Sequence, residues 1–471
     1  MSSPEPPARF GPRDIVASGL CIGCGGCAGR AKKAGARMEW DKHGLLKPDG
    51  PEAFLARGPE RFEQTCPFSP RARDEDEIAA LLYPDAAHAD ARVGRWEGAW
   101  VGHVEEEEFR ASGSSGGMVS WVAAELLRRG LVDAVAHVAP ADRDRDGRLF
   151  GYRVSRSVAE VQAGAKSRYY PIELSGVIET IRSVPGRYAV IGVPCFIKAV
   201  NLLRLEDPLV GERVAFTLGL FCGHMKSARM VDSFALQMGA EPGQVKAIDY
   251  RLKDASRPAN WYRASLDLAD GGNRQQDWWH LVDGDWGSGF FQASACDYCD
   301  DVVAETADIS FGDAWVEPYS SDGRGTNVVV VRSPVLHAIV GEAQAAGRLG
   351  LKAVDAEFVV ETQAAGFRHR REGLAWRLAR RQRGPIRPRK RVRPGAEGMP
   401  LRRRGVYWMR KRISRWSHRV FRLSRRIGQP GLFVRWGKAM LAVYHALTYS
   451  RGRLGALIDR VEGWAGRRRA E

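Results

Sequence analysis

Eight cysteines are the residues of this chain best suited to redox or metal chemistry, and three of them lie close together near the N-terminus. Cys21, Cys24 and Cys27 form a C-x2-C-x2-C motif with three glycines among the intervening residues. That spacing lets one tight loop direct three thiolates at a single cube of iron and sulfide. Ala31 stands where a two-cluster bacterial ferredoxin carries a cysteine for its partner cluster, so this loop cannot build that partner.

A fourth ligand is available in Cys66, which is followed directly by Pro67. A proline after the thiolate is the usual end of such motifs, and residues 38–48 resemble the small hairpin that wraps a ferredoxin cluster. We therefore predict a ferredoxin-like module in which Cys66 and the three N-terminal cysteines hold one [4Fe-4S] cluster. A zinc knuckle or free thiols are the alternatives, and the spacing with Cys-Pro favours the cluster.

The other four cysteines lie where the chain leaves a predicted strand or in a second C-x2-C pair. They are Cys195 after the strand 188–193, Cys222 after the strand 214–220, and the pair Cys296 and Cys299. Ligands in open α/β sheets gather beyond the carboxyl ends of strands, so these thiols can converge on a second four-thiolate site. Ordinary buried cysteines at the two strand ends, with a redox dithiol at the pair, explain the spacing equally well.

An α/β sheet must position these cysteines. Between residues 96 and 335, apolar strands alternate with amphipathic helices, which is typical of a sheet with crossover helices. The pattern predicts helices over 117–129 and 196–205, and strands over 132–138, 188–193, 214–220, 245–252, 262–268 and 328–331.

Length and charge divide the chain into three parts. Its 471 residues suggest about three domains, and a hydrophobic content of 44% excludes wholesale disorder. Residues 368–471 hold 31 Lys and Arg against 5 Asp and Glu, a net charge of +26, so the first 367 residues carry −10. We predict a ferredoxin-like module over 1–92, an α/β domain over 93–367, and an Arg-rich linker with a helical tail over 368–471.

A series of short motifs resembles one known family in content and order. The series comprises residues 112–118 before a helix, 130–133, 166–169, 192–195, 220–223, the pair Cys296 and Cys299, and 307–315. Over about residues 15–335 the chain thus resembles the coenzyme F420 hydrogenase/dehydrogenase beta-subunit family. The resemblance implies a mixed α/β domain that binds FAD, and [4Fe-4S] clusters, two in this chain. It implies further that Cys195, Cys222, Cys296 and Cys299 hold the second cluster beside the flavin.

The glycine-rich turn of this series precedes a predicted helix and consists of Ser114, Ser115, Gly116 and Gly117. Glycines in such a turn let backbone N–H groups and the helix dipole approach an anion, which suits a flavin pyrophosphate. Simple capping of the helix by serine is the alternative. With the resemblance, we predict that this turn binds FAD.

Three further side chains are candidates for binding and catalysis. Lys166 and Arg168 can neutralise phosphate or stabilise reduced flavin, and Lys166 is also a catalytic candidate. His224, two residues past Cys222, can relay a proton during a two-electron reduction. More commonly, lysine and arginine side chains of this kind are solvated, and such a histidine has a structural role.

We therefore predict an FAD-dependent iron–sulfur oxidoreductase. It would pass electrons between ferredoxin or a deazaflavin, coenzyme F420, and an organic substrate whose identity the sequence does not give. The alternative function is a zinc-stabilised binding or scaffold protein associated with a membrane or with nucleic acid.

The basic tail favours an anionic membrane surface as a partner. Over residues 400–471 it interleaves arginine with the aromatic anchors Trp408, Trp416, Phe421, Phe433, Trp436 and Tyr444. A solvated extension is an equal alternative, and nucleic acid is less favoured because no recognised motif is present. No apolar run is long enough to span a membrane and no secretory signal is visible, so we expect a cytoplasmic protein whose tail attaches to the inner face of the membrane.

Overall fold

The computed structural model describes residues 9–380 and 384–470. Its strands are β1 (Arg37–Trp40), β2 (Leu46–Asp49), β3 (His88–Asp90), β4 (Gly94–Trp96), β5 (Gly98–Val104), β6 (Ala134–Pro140), β7 (Phe150–Ser155), β8 (Tyr188–Gly192), β9 (Val214–Leu220), β10 (Val245–Asp249), β11 (Arg263–Leu268), β12 (Asn273–Asp277), β13 (Ile309–Asp313), β14 (Asn327–Val331) and β15 (Leu349–Ala353). Its α-helices are α1 (Pro12–Ala17), α2 (Gly26–Arg30), α3 (Glu52–Arg57), α4 (Phe62–Thr65), α5 (Glu75–Leu82), α6 (Glu107–Ser112), α7 (Met118–Arg128), α8 (Arg143–Asp146), α9 (Val158–Ala163), α10 (Ser175–Ser183), α11 (Pro194–Glu206), α12 (Pro208–Arg213), α13 (Arg229–Gln237), α14 (Pro334–Ala345), α15 (Ala356–Thr362), α16 (Ala364–Arg370), α17 (Glu372–Leu378), α18 (Leu401–Arg426), α19 (Pro430–Tyr449) and α20 (Gly452–Ala470).

A mixed sheet of eight strands forms the centre of the fold, in the order β15-β5-β14-β13-β9-β8-β6-β7. The pairs β6/β8, β8/β9 and β9/β13 are parallel, and the flanking pairs are antiparallel. Helices connect the parallel strands, because parallel neighbours need a crossover connection. The predicted mixed α/β architecture is confirmed, while the ferredoxin-like and flavin-binding assignments within it stay predictions.

Both faces of this sheet are covered, as the side chains of β14 show. Val329 and Val331 pack with α7 and α14 on one face, whereas Val328 and Val330 pack with α15 and α16 on the other. Successive side chains of a strand point to opposite faces, so a continuous run of valine is the pattern of a strand buried on both sides. The sheet is therefore rigid enough to hold side chains at its strand ends in fixed positions.

The predicted strand β10 is shorter than expected, and its end has a local cause. The sequence predicts a strand over 245–252, but the strand ends at Asp249. The Asp249 carboxylate accepts a hydrogen bond from the backbone N–H of Arg251 at 2.9 Å. Such an Asx turn competes with the strand ladder and turns the chain away from the sheet.

The N-terminal segment packs directly on the α/β sheet region through two buried ion pairs. Arg30 Nε lies 3.5 Å from Asp207 Oδ2, and Lys198 Nζ lies 3.1 Å from Glu75 Oε1, with both of these latter side chains 5% exposed. The division into 1–92, 93–367 and 368–471 stays a prediction. Within it, residues 1–8, 381–383 and 471 lie outside the described residues.

The basic tail is helical, as predicted, but much of it packs against the body. Phe421, Phe433 and Tyr444 are only 2%, 1% and 3% exposed. The Phe433 ring contacts Phe290 and Phe291, with centroids 6.1 and 5.3 Å apart. The assignment of Phe421, Phe433 and Tyr444 as membrane anchors is therefore wrong, because the body already buries their apolar surface.

Candidate functional site

The three cysteines of the N-terminal motif and Cys66 line one apolar pocket, walled by side chains such as Phe62 and Phe68. The loop that carries them depends on glycine. Gly23 and Gly25 have φ values of +78° and +80°, and a Cβ at either position would meet another atom at 2.5 and 2.6 Å respectively. Only glycine allows this conformation and this close approach. The fold thus brings together the four thiols that the spacing grouped.

The chemistry of this pocket suits a cluster with thiolate ligands. Burial raises the pKa of Cys24 to about 12, and it raises the pKa of Cys27 and Cys66 well above the ordinary value. Neighbouring thiols of the set add to each rise, which places the sulfurs close together. All four are free thiols. Four thiols around an apolar pocket are the donor set of a [4Fe-4S] cluster, so these residues fit that group.

The second set of cysteines is positioned by the ends of two central strands. Cys195 lies in the first turn of α11, three residues after the end of β8, and Cys222 lies two residues after β9. Cys296 belongs to the short 3-10 helix Ser294–Tyr298. Its sulfur accepts a hydrogen bond from the backbone N–H of Met225 at 3.3 Å. Parallel strands β8 and β9 are neighbours, so their carboxyl ends place the first two thiols side by side.

Electrostatic interactions show that this second set also converges. Burial raises the pKa of Cys195 well above the ordinary value, and the nearby Cys299, Cys222 and Cys296 add to that rise. Cys296 and Cys299 are 6% and 9% exposed. The four thiols are free and match the donor set of a second cluster.

The two sets of cysteines approach each other at Cys24 and Cys195. Cys24 is near enough to contribute to the raised pKa of Cys195, after burial and the three thiols of the second set. Tyr152 lies beside both. Burial raises the pKa of Tyr152, with Cys195 and Cys24 adding to the rise, and its hydroxyl donates a hydrogen bond to the Ile191 carbonyl at 2.8 Å.

Neither set has the arrangement of a site for a metal ion. Across residues 9–380 and 384–470, no group of three or more His, Cys, Asp or Glu side chains could hold such an ion. The assignment of the eight cysteines as cluster ligands stays a prediction that the donor chemistry supports.

Close packing accounts for the two glycines of the turn at 114–117. A Cβ at Gly116 would lie 2.8 Å from the Gly102 carbonyl oxygen and 2.9 Å from the backbone nitrogen of Asn327. Gly117 caps α7 with φ +86°, and a Cβ there would meet the Phe109 carbonyl at 2.6 Å. Packing therefore explains both glycines, and their role in binding flavin stays a prediction.

A second pocket, largely polar, opens beside the same turn. It is lined by Ser114 together with Arg251, Lys253, Trp261 and Tyr262. Of these, only Ser114 was expected from the sequence. The two basic residues that follow strand β10 could have indicated this pocket from the sequence, because α/β proteins bind ligands at strand ends. Cations and aromatic rings in one pocket can bind an anionic, planar ligand.

Lys253 makes this pocket electropositive, whereas Arg251 is paired with Asp313 Oδ2 at 2.9 Å. Burial, together with the charges of Lys166 and Arg110, lowers the pKa of Lys253 to about 8. Its ammonium donates a hydrogen bond to the Ser115 carbonyl at 3.0 Å, which ties the glycine-rich turn to β10. A cation whose charge is disfavoured by burial gains from any anion that enters the pocket.

The predicted basic residues Lys166 and Arg168 lie next to this turn. The intervening Ser167 donates its backbone N–H to Ser114 Oγ at 2.8 Å. Lys166 Nζ lies 3.3 Å from Asp249 Oδ2, whereas Arg168 stacks over an aromatic ring with 4.9 Å to its centroid. The fold thus brings the two cations to the turn, and their roles toward flavin stay predictions.

His224 is buried near the second set of cysteines. It is 5% exposed and stacks on Trp286 with ring centroids 4.3 Å apart. Burial lowers its pKa well below the ordinary value, so the imidazole is neutral at neutral pH. Its Nε2 is buried without a hydrogen-bond partner among the residues described. A role in proton relay stays a prediction.

Comparison with known families decides the broader identity. Residues 99–179 match the family model for the N-terminal part of the coenzyme F420 hydrogenase/dehydrogenase beta subunit. Residues 186–357 match the model for its C-terminal part, and the two matches together span more than half of the chain. The chain belongs to this family. It is accordingly an oxidoreductase, and Cys195, Cys222, Cys296 and Cys299 all lie within the second match.

The first set of cysteines and the helical tail lie outside both family matches. Among solved structures, the chain resembles part of the F420-reducing [NiFe] hydrogenase complex from Methanosarcina barkeri, at 20% identity and a TM-score of 0.46. That similarity covers 59% of this chain and 91% of the other. No curated protein sequence matches the chain.

Proposed function

We propose that the protein is an FAD-dependent iron–sulfur oxidoreductase that passes electrons between ferredoxin or the deazaflavin coenzyme F420 and an organic substrate. The observation that carries this proposal is that members of both cysteine sets pack into the same apolar core, where Cys24 lies near enough to Cys195 to raise its pKa. Neighbouring thiol sets suit a relay of single electrons, which a lone structural metal would not require. A cytoplasmic location, where thiols stay reduced, is part of the proposal.

Each cluster and the FAD would be held by residues that lie near one another in the fold. When bound, the clusters supply one-electron steps and FAD supplies exchange of electron pairs. Cys21, Cys24, Cys27 and Cys66 would hold one cluster, and Cys195, Cys222, Cys296 and Cys299 the other. Ser114 and the polar pocket beside it would bind FAD, with Lys253 attracting its phosphates.

The zinc-stabilised scaffold, the alternative from the sequence, has no support. Family membership places the chain among oxidoreductases. The thiols of the first set also line an apolar pocket inside the protein, where a redox group is shielded from water.

Metal and flavin analysis of anaerobically purified protein tests this function. We expect about eight irons and eight sulfides per chain after reconstitution, together with about one FAD and a broad absorption band. Stoichiometric zinc with no acid-labile sulfide would contradict the proposal.

A variant in the polar pocket should lose FAD without losing iron, and the same analysis measures both. Lys253→Met should retain iron but bind FAD about 10–100 times more weakly, because it loses a charge-assisted contact. Lys246→Met is the matched control, since Lys246 lies on β10, shortly before Lys253 in the chain, but pairs at the surface with Asp144. Unchanged FAD affinity in Lys253→Met would exclude this pocket.

A membrane partner stays part of the proposal, restricted to one face of α18. No helix among the described residues is long and apolar enough to cross a membrane. Trp408 and Trp416 are 49% and 41% exposed, as are Leu423 and Ile427 at 51% and 48%. These residues lie eight, seven and four positions apart and so share a face. The helix itself contains no Asp or Glu.

Arginines complete the match of this face to anionic lipid. The Arg412 guanidinium lies over the Trp408 ring at 4.6 Å, and that of Arg419 lies over Trp416 at 5.2 Å. Amphipathic helices that bind membrane surfaces combine interfacial tryptophan with arginine in this way. Trp436, another predicted anchor, instead contacts the Phe290 ring at 5.9 Å.

Binding of vesicles tests this surface. We expect the full chain to float with vesicles rich in phosphatidylserine at low salt, and Trp408→Ser/Trp416→Ser to lose at least about tenfold in affinity, because two interfacial anchors are removed. Trp261→Ser is the control, since Trp261 is 50% exposed but lies elsewhere. Equal binding by all three proteins, or binding to a DNA duplex in place of vesicles, would overturn it.

A further inference from the structure

A buried arginine outside the family matches lies against the second set of cysteines. Arg370 is the last residue of α16, 13 positions beyond the end of the matched region at residue 357. It is 2% exposed. One of its terminal nitrogens, Nη2, donates a hydrogen bond to the carbonyl of Gly223 at 2.8 Å. That carbonyl directly follows Cys222 in the chain.

The rest of this guanidinium has no partner in the protein. Arg370 Nε and Nη1 are buried without a hydrogen-bond acceptor among the residues described. Within the same part of the chain, no carboxylate forms an ion pair with Arg370, although such pairs hold many other arginines here. Burying an unpaired cation is costly, so a fold that keeps one there needs a compensating negative charge.

The thiols of the second set face this cation, and the buried Asp301 carboxylate lies near it as well. Burial raises the pKa of Cys222, and the charge of Arg370 opposes the rise. Burial likewise raises the pKa of Cys299, again opposed first by Arg370. The Arg370 guanidinium thus lies beside the strand end that carries Cys222, held there by its hydrogen bond to the next carbonyl, with Nε and Nη1 left without an acceptor among the described residues.

Other buried cations near this set are already engaged. Lys390 Nζ lies 3.0 Å from Asp300 Oδ1, and Lys226 Nζ donates to the Phe290 carbonyl at 2.7 Å. Their positive charge is paired or directed elsewhere. Arg370 differs because its free N–H groups remain available to sulfur.

We propose that Arg370 is a positioning residue that raises the reduction potential of the cluster held by Cys195, Cys222, Cys296 and Cys299. The inference rests on the proposed function, because it needs that cluster. A cluster with four thiolate ligands is anionic and gains a further negative charge when it takes an electron. Hydrogen bonds and positive charge at the sulfurs stabilise the reduced form more than the oxidised form, and they thereby raise the potential.

A redox titration followed by electron paramagnetic resonance tests the inference on anaerobic, reconstituted full-length protein. Arg370→Gln removes the charge but keeps donors, and Arg370→Lys keeps the charge. We expect Arg370→Gln to make reduction of one cluster at least tenfold less favourable, which is 59 mV for one electron. We expect Arg370→Lys to remain close to the parent protein.

Arg332→Gln is the matched control. Arg332 is also fully buried, at 0% exposed, but its guanidinium donates to Ser310 Oγ and to the carbonyl of Val93, away from the cysteines. It should lower stability without moving either potential. If Arg370→Gln also loses the cluster, Arg370→Lys should still retain it at the parent potential. A shifted potential in Arg370→Lys, or in both control and test, would then overturn the role of the charge.

The outcomes separate this inference from the proposed function. A parent protein with only one cluster, or none, contradicts the proposed function and leaves no second potential to measure. Two clusters in the parent, with the same two potentials in Arg370→Gln, overturn the inference alone. A shift confined to one cluster in Arg370→Gln supports it.

Discussion

The variant Lys390→Met is expected to unfold with a free energy about 3 kcal/mol below that of the parent chain. Lys390 Nζ lies 3.0 Å from Asp300 Oδ1, and the two side chains are 4% and 0% exposed. Burial opposes the charge on both groups, yet their attraction holds the pKa of Asp300 well below its ordinary value and the pKa of Lys390 above it. Removing the ammonium leaves a buried carboxylate with one cation fewer.

The expected loss is at the lower end of the range for broken buried pairs, because a second cation remains. Arg391 Nε lies 3.5 Å from the same Asp300 carboxylate. Unfolding in guanidinium chloride, followed by tryptophan fluorescence, should show a lower midpoint with an unchanged slope. Since the pKa of Asp300 is depressed, its contribution is present above the pKa of the unfolded chain and is lost as the pH falls toward the folded value.

The neighbouring Arg389 provides the control. Its side chain is 44% exposed and lies 2.7 Å from Glu77 Oε1, so Arg389→Met should change stability by less than about 1 kcal/mol. Equal losses in Arg389→Met and Lys390→Met would show that the segment contributes through its backbone and not through this buried pair.

This stability effect arises in a segment that the sequence described as a linker. The prolines of residues 384–391 correctly predict a break between helices. The sequence could not show that this segment joins two parts of the protein. Ile386 donates its N–H to Ser18 Oγ at 3.1 Å, and Arg391 pairs with Glu305 at 2.6 Å. Partners so far apart in sequence are set by the tertiary fold, which composition does not encode.

The central strands were predictable because their apolar runs are unusually clear. The strand β9 has the predicted bounds, and β8 and β14 differ by one residue at one end. The antiparallel flanks of the sheet were not predictable from these runs. The sequence of a valine-rich strand such as β14 does not indicate whether its neighbours are parallel or antiparallel. Its pairing with β5 and β13 depends on distant residues.

The two cysteine sets illustrate the same division for the candidate site. Close spacing identified Cys21, Cys24 and Cys27 as one group, because ligands on one loop need no tertiary information. The polar pocket was missed beyond Ser114. Arg251 and Lys253 follow β10 of the three-stranded sheet, whereas the glycine-rich turn lies just before α7, so only the fold brings them together.

Substituting one cysteine in each set is expected to halve the iron content in two separable ways. Cys66→Ser should lose the four irons of the N-terminal set and keep about four. Cys296→Ser should lose the other four. The reason is that Cys66 lines the N-terminal pocket, whereas the Cys296 sulfur is oriented by the Met225 N–H at 3.3 Å in the other set.

Iron and sulfide analysis with electron paramagnetic resonance distinguishes the two losses, because each variant should retain one signal of the parent spectrum. Ser294→Ala, two residues from Cys296, is the control and should keep about eight irons, since it removes only a hydrogen bond to the Gly19 carbonyl. Because Cys24 and Cys195 are neighbours, both cysteine variants should keep FAD but accept electrons from reduced ferredoxin more slowly. If either variant loses all iron, or if both lose the same signal, the eight cysteines do not divide into these two sets.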